Sequence, residues 1–303
     1  ASKSQSGVLV ITVLTSPYPK VGEKVQRFSC QWNCYYCPNQ PGQPRSYLHD
    51  EPAVQRANLS DFDPVMQFTD RCVTLAMNGH PVDKIELLVL GGTWASYPHR
   101  YQEDFIRDLF FAANTFHSRS KRPKRSLLEE KTINEKAQCK IIGVTLETRP
   151  DTINADELIR MRMLGCTRVQ LGIQHTKDRI LDRVNRGHGR SHAVRAIRLL
   201  KEAAFKVDIH LMPVLPDATV EDDREMFMDV LYSPDLQADQ WKIYPCEITP
   251  WTVIKKWFEE GSYVPYPSEQ LSELLCEVKP QVHPWIRLNR VIRDIPNQYI
   301  LGG

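Results

Sequence analysis

The sequence predicts an α/β fold in which parallel strands and helices alternate around an open, partial (β/α)6 barrel. Three observations carry this expectation. Short apolar runs rich in β-branched residues alternate with stretches of helical period. The runs are apolar almost throughout, as suits a parallel sheet covered on both faces. Six such units are too few for a closed eight-fold barrel.

In chain order, Val8–Leu14 (VLVITVL) reads as a buried strand. Asp63–Gly79 has helical spacing through Val65, Phe68, Cys72 and Leu75 and ends at Asn78-Gly79, a stop signal. Lys84–Leu90 is the second strand, halted by Gly91-Gly92. Tyr101–Phe116 is a helix with Phe105, Leu109, Ala112 and Ala113 on one face. Residues 118–138 break the rhythm with a charged, basic stretch and read as a surface insertion or loop. Lys140–Leu146 is the third strand, Asn154–Leu164 a helix closed by Gly165, and Arg168–Ile173 the fourth strand. Val194–Ala204 is a helix and Lys206–Met212 the fifth strand. A helix over Glu221–Leu231, a sixth strand over Gln240–Tyr244 and a helix over Glu269–Val278 follow. Ile286–Val291 is a last extended segment.

Composition narrows the class. The chain of 303 residues, 42% hydrophobic, is long enough to bury a full-sized core. It has no run of 18 apolar residues and no apolar leader at its start, so no membrane partner is expected. Eight cysteines in this length do not make a disulfide scaffold. Cys72, Cys139, Cys166, Cys246 and Cys276 read as buried thiols of a reducing compartment, cytoplasmic or nuclear.

Net charge is only +2, but the cations cluster. Arg160 to Lys206 holds twelve Lys/Arg against Asp178, Asp182 and Glu202. Arg119 to Arg125 is a second patch, and Arg287, Arg290 and Arg293 form a third. Each arginine alone is most simply a solvated helix face; together the clusters point to a polyanion, nucleic acid first.

Cys30, Cys34 and Cys37 carry the chemistry. Thiolates this close can each hold one iron of a [4Fe–4S] cube. No fourth cysteine lies nearby, so one iron would stay open to a non-protein ligand. The C-x3-C-x2-C spacing resembles the signature of radical S-adenosylmethionine (SAM) enzymes. The competing reading is a zinc knuckle completed by Cys72, His49 or another residue, since zinc takes four N/S ligands.

Other polar motifs fall after successive strands, where β/α barrels carry their chemistry. Gly91-Gly92-Thr93 follows the second strand; adjacent glycines allow close backbone approach or simply a tight turn. Glu147 and Arg149, two apart, point to one side of the third strand. Gln174-His175 and Asn185-Arg186-Gly187-His188 follow the fourth, His210 to Pro216 the fifth, and Lys242-Ile-Tyr244-Pro245 the sixth.

In this order the motifs resemble the radical-SAM domain of the catalytic subunit of Elongator, a tRNA wobble-uridine-modifying radical-SAM/acetyltransferase family. The carriers are the cysteine triplet, Arg45-Ser-Tyr47 with Glu51-Pro52, Val82-Asp83-Lys84 and Gly91-Gly92-Thr93. They continue through Glu147-Thr-Arg149-Pro-Asp151, Asn185-Arg-Gly-His188, Leu211-Met-Pro213, Lys242-Ile-Tyr-Pro245 and Arg290-Val-Ile-Arg293. The likeness runs from Ser6 to Pro296.

The resemblance implies a radical-SAM barrel over residues 1–298, with a cysteine loop at 28–45 and only a short end at 299–303, the acetyltransferase domain being absent. Cys30, Cys34 and Cys37 would hold the [4Fe–4S] cluster. Gly91, Gly92, Thr93, Glu147, Arg149 and Gln174 would lie along SAM, with Glu147, Arg149 and Lys84 in the catalytic set. Lys84 matches a lysine assigned to acetyl-CoA, the co-substrate. Arg186, His188, Lys242, Arg287, Arg290 and Arg293 would face RNA. The implied reaction takes hydrogen from the acetyl methyl and adds a carboxymethyl group to C5 of the wobble uridine (U34). The implied partners are the tRNA anticodon loop and either other Elongator-type subunits or a separate acetyltransferase chain.

The sequence departs from the family on the substrate side. Asn39-Gln40 replaces Gly-Gly after the third cysteine, Gln170 replaces Glu, Val214 replaces Asp, and the loop from Pro245 to Trp251 lacks an arginine. Two readings follow: a SAM-cleaving tRNA-modifying enzyme, favoured by the intact cysteines, and a catalytically reduced RNA- or protein-binding module, favoured by these departures.

Overall fold

The computed structural model describes residues 5–118 and 122–303. Its centre is a seven-stranded, all-parallel sheet curled into an open partial barrel. The strands are β1 (Leu9–Leu14), β4 (Lys84–Leu90), β5 (Lys140–Thr148), β6 (Arg168–Gln174), β7 (Lys206–Leu211), β8 (Gln240–Ile243) and β9 (Arg287–Arg290), side by side in that order. The last extended segment is therefore a true seventh strand, in parallel register with β8. A small antiparallel hairpin, β2 (Lys20–Val21) and β3 (Lys24–Val25), stands apart.

The helices are α1 (Pro52–Leu59), α2 (Pro64–Met77), α3 (His99–Thr115), α4 (Leu127–Asn134), α5 (Ala155–Met163), α6 (Asp178–Arg183), α7 (Arg190–Glu202), α8 (Val220–Tyr232), α9 (Val253–Glu259) and α10 (Ser268–Val278). Four of them, α1, α4, α6 and α9, lie where no helix is predicted. The expected insertion at 118–138 contains α4, opened by a Ser126/Glu129 capping box. Glu130 pins it: the buried carboxylate takes both Arg122 nitrogens at 2.7 Å and Asn114 at 2.8 Å. Arg119, Ser120 and Lys121 of the second basic patch lie outside the described residues.

The strands alternate more than their apolar content suggests. Val169, Leu171, Val207, Ile209 and Trp241 face the helices and join one large core. Their neighbours Gln170, Asp208, His210 and Lys242 are buried on the other, concave face. Glu147 sits opposite Gln170 in register, and His210 opposite Lys242. A second apolar cluster, including Ile180, Val184, Val214, Leu215 and Ile254, holds Cys34 and Tyr36 at the C-terminal end of the sheet.

Candidate active site

The cysteine loop is fastened from three sides. Tyr35 N donates to Val184 O at 3.0 Å, and Val253 N, at the start of α9, donates to Tyr35 O at 2.9 Å. Asn185 bonds the carbonyl of Trp32, whose indole donates to Asp151 at 3.0 Å. Gly187 has φ +71°, and a Cβ there would come within 2.1 Å of the Trp32 ring, so only glycine lets the loop seat.

Cys30, Cys34 and Cys37 are free thiols that line one cavity of about 70 Å³ with Gly92, Thr93, Glu147, Arg149 and Arg186. Guanidinium groups face two of the sulfurs. Arg186 and Arg149 reach Cys34 Sγ at 3.5 and 3.6 Å, and Arg45 reaches Cys37 Sγ at 3.4 Å. Burial raises the Cys34 pKa, but Arg186 and Arg149 outweigh it and hold the thiol below its ordinary value. At Cys37 burial wins over Arg45 and the thiol is raised.

The donor set fits an iron–sulfur cube. No His and no fourth Cys lines this cavity. His49 is turned to Asp50 at 2.7 Å, and Cys72 is in the core on α2, so neither completes a zinc knuckle. Among the described residues no three His, Cys, Asp or Glu converge as one ion requires, whereas a cube spreads its irons among separate thiolates.

Through Tyr36, Ser46, Glu147 and Gln174 this cavity adjoins a larger one of about 390 Å³, lined by the concave-face residues His210 and Lys242 and by Tyr244, Glu247, Arg290 and Arg293. At the junction, the Tyr36 hydroxyl and Gln174 Oε1 are buried without hydrogen-bond partners. Two orphaned polar atoms on residues shared by both cavities fit a ligand position there. Gln174 is held there with φ +72°, where the β6–β7 register shifts.

The expected SAM residues divide. Gly92, Thr93, Glu147, Arg149 and Gln174 line the cysteine cavity, and Thr93 Oγ1 stands 3.8 Å from Cys30 Sγ. Gly91 does not line it; a Cβ there would fall 1.9 Å from Thr15 Oγ1, so this glycine serves packing. Glu147 accepts from Tyr47 OH at 2.8 Å. Arg149 is committed to Asp151, the Arg186 carbonyl and Cys34.

Lys84 is not brought together with these groups. It is exposed at the opposite end of β4, about 20 Å of strand away from Gly91.

The expected RNA set is also split. Arg186 and His188 are buried beside Cys34, with Arg186 Nε 2.9 Å from His188 Nε2, so they are no RNA surface. Burial, Arg186 and Arg149 lower the His188 pKa to about 3, leaving the ring neutral. Lys242 is buried in the large cavity. Arg293 pairs with Glu51 at 2.6 Å and stacks on Tyr47 as scaffold. Arg290 lines the cavity, while Arg287 starts β9 and lies at the far rim, not the mouth.

The longest basic cluster is largely paired in space. Arg168 meets Asp208, Lys177 and Arg179 share Asp222, Arg190 meets Asp229 and Lys201 meets Asp239. Of the five scattered cysteines, four are buried and Cys276 is exposed. Tyr36, Tyr47 and Glu247 were not among the expected site residues. The first two lie inside quoted motifs; Glu247 sits in a loop read only for its missing arginine.

A family model for the radical SAM superfamily matches residues 28–230, and one for the radical SAM C-terminal domain matches residues 238–303. The chain belongs to the radical SAM superfamily. This radical SAM chain is 38% identical over 302 residues to a protein named tRNA uridine(34) acetyltransferase from Dehalococcoides mccartyi, covering 100% of this chain and 62% of the relative. It is 33% identical over 307 residues to Elongator complex protein 3 of Homo sapiens, covering 99% of this chain and 54% of that one. The solved structure of the archaeal Elp3 of Methanocaldococcus infernus superposes with a TM-score of 0.81 at 33% identity, over 98% of this chain and 59% of that chain. The chain thus spans a little over half the length of these relatives. No helix among the described residues is long and apolar enough to cross a membrane.

Proposed function

We propose that this chain is the SAM-cleaving part of a tRNA-modifying enzyme that acts at C5 of wobble uridine with an acetyl-CoA-derived group. The observation that carries the reading is the junction. Three free cysteines line one cavity, and that cavity adjoins a larger polar one across Tyr36, Glu147 and Gln174. The names of the relatives supply the substrate class.

Cys30, Cys34 and Cys37 are the ligands for a [4Fe–4S] cluster, and Gly92, Thr93, Glu147 and Gln174 line the place for SAM. When bound, the two supply a 5′-deoxyadenosyl radical. Arg186, Arg149 and Arg45 balance the thiolate charge. Tyr47 fixes the Glu147 carboxylate, so it faces the junction in one orientation. The buried walls keep water from the reacting atoms, and the cavity holds the base in reach. Lys84, exposed on the other rim, takes no part at the junction.

Anaerobic reconstitution followed by iron and sulfide analysis, 5′-deoxyadenosine release under dithionite and mass analysis of tRNA nucleosides tests the reading. A full complement of zinc without iron would overturn it. The binding-module reading has one observation behind it: Gln170 gives the buried Lys242 ammonium a neutral partner. Full iron content with no 5′-deoxyadenosine would favour that reading.

A further inference from the structure

We propose that Glu247 is a specificity-determining residue that accepts an N–H of the substrate base, resting on the reading that a uridine enters the larger cavity. Glu247 lies in the loop after β8 and lines that cavity. Its Oε2 is buried without a hydrogen-bond partner. Arg293, whose charge it feels, does not hold it: that guanidinium spends its donors on Glu51 and the Ser46 carbonyl. A buried acceptor left bare is costly, and a ligand N–H would recover that cost.

The surroundings match one edge of uracil. That edge presents N3–H between two carbonyl oxygens, and unpaired RNA bases are read on such edges. Glu247 offers the acceptor for N3–H, while Lys242 lines the same cavity as a donor for a carbonyl. Burial raises the carboxyl pKa to about 7 against the pull of Arg293, and Glu51 adds to the rise. An incoming N–H donor therefore meets a group that is ready to ionise and gains from doing so.

The test uses the reconstituted protein and anticodon stem-loop RNAs carrying uridine or 3-methyluridine at the reacting position. Binding and 5′-deoxyadenosine release are read for both. The unaltered protein should favour uridine by about tenfold or more. Glu247→Ala should cut that preference to within about threefold, and Glu247→Gln, whose amide oxygen still accepts, should keep most of it. Glu247→Leu serves the same purpose if the Ala variant does not fold. An undiminished preference in the Ala or Leu variant overturns the proposal, as does a raised SAM requirement with unchanged base preference. If the unaltered protein acts on neither RNA, the uridine reading itself falls and takes this inference with it. Action on uridine without any effect of the substitutions sinks the inference alone.

Discussion

Lys242 Nζ donates to Gln170 Oε1 at 2.7 Å inside the barrel, and His210 Nε2 stands 3.3 Å from the same oxygen. One amide oxygen thus serves a buried ammonium and a buried imidazole, while its nitrogen donates to Asp208 at 3.4 Å and His210 Nδ1 stands 3.8 Å from Glu147 Oε1. Burial lowers the Lys242 pKa to about 8, opposed by Glu147 and Asp208 and reinforced by Arg290 and Arg293.

This has a pH signature. Between pH 8 and the unfolded value near 10.5 the folded chain binds fewer protons, so stability rises with pH across that window. Below it, the charged lysine costs the fold about 3 kcal/mol, less about 1 kcal/mol for its hydrogen bond. Lys242→Met should therefore raise the melting temperature at pH 7 and lose that advantage by about pH 10. Gln170→Glu should flatten the same profile by pairing the charge. Thermal melts at several pH values read both.

The cysteine loop is predicted to depend on Gly187. An alanine there meets the Trp32 ring and must keep φ near +71°. We expect Gly187→Ala to cost about 2–4 kcal/mol and to lower iron per chain after reconstitution. Trp32→Ala in the same background should relieve the clash. Normal iron loading of the single variant would show that the loop seats without this fit.

Helix α4 should be acid-sensitive through Glu130. Burial opposes its ionisation, but Arg122, Asn114 and the Arg125 amide pull its pKa down to about 2. The stability it contributes is complete above the unfolded value of 4.5 and is lost as pH falls toward 2. Arg122→Ala leaves the carboxylate buried without its main partner and should cost about 3 kcal/mol at pH 7. Hydrogen exchange on α4, compared with urea melts, separates local from global loss.

The outer half of the fold was legible because Val, Ile and Leu runs mark strands whatever else they do. The concave face was harder to read. Gln170, Asp208, His210 and Lys242 alternate with apolar residues, and polar alternation usually marks a solvent face. Here it marks a lined interior. That the three cysteines share one cavity was legible because their spacing is local. The basic surface was not, because the partners of Arg168 and Lys177 lie about 40 residues further along the chain. Arg186 is the sharpest case: a linear count reads a surface charge, but packing makes it a counter-charge for Cys34.

Arg290 and Arg293 should separate RNA contact from scaffold. Arg293 is held by Glu51 and Tyr47, so Arg293→Ala should lower stability by about 3 kcal/mol and leave the salt slope of tRNA binding unchanged. Arg290 is different. It pairs with Asp294, both side chains are well exposed, and such pairs are worth little. At the cavity rim it is free to turn to a phosphate. Arg290→Ala should leave the melting temperature within about a degree or two and reduce the salt slope by about one. Arg287, at the far rim, serves as the control: Arg287→Ala should change neither. Filter binding of tRNA between low and physiological salt, beside thermal melts of each variant, reads all three. An unchanged slope in Arg290→Ala would remove the β9 end from the RNA surface and leave the anticodon loop to enter over the cysteine-loop side.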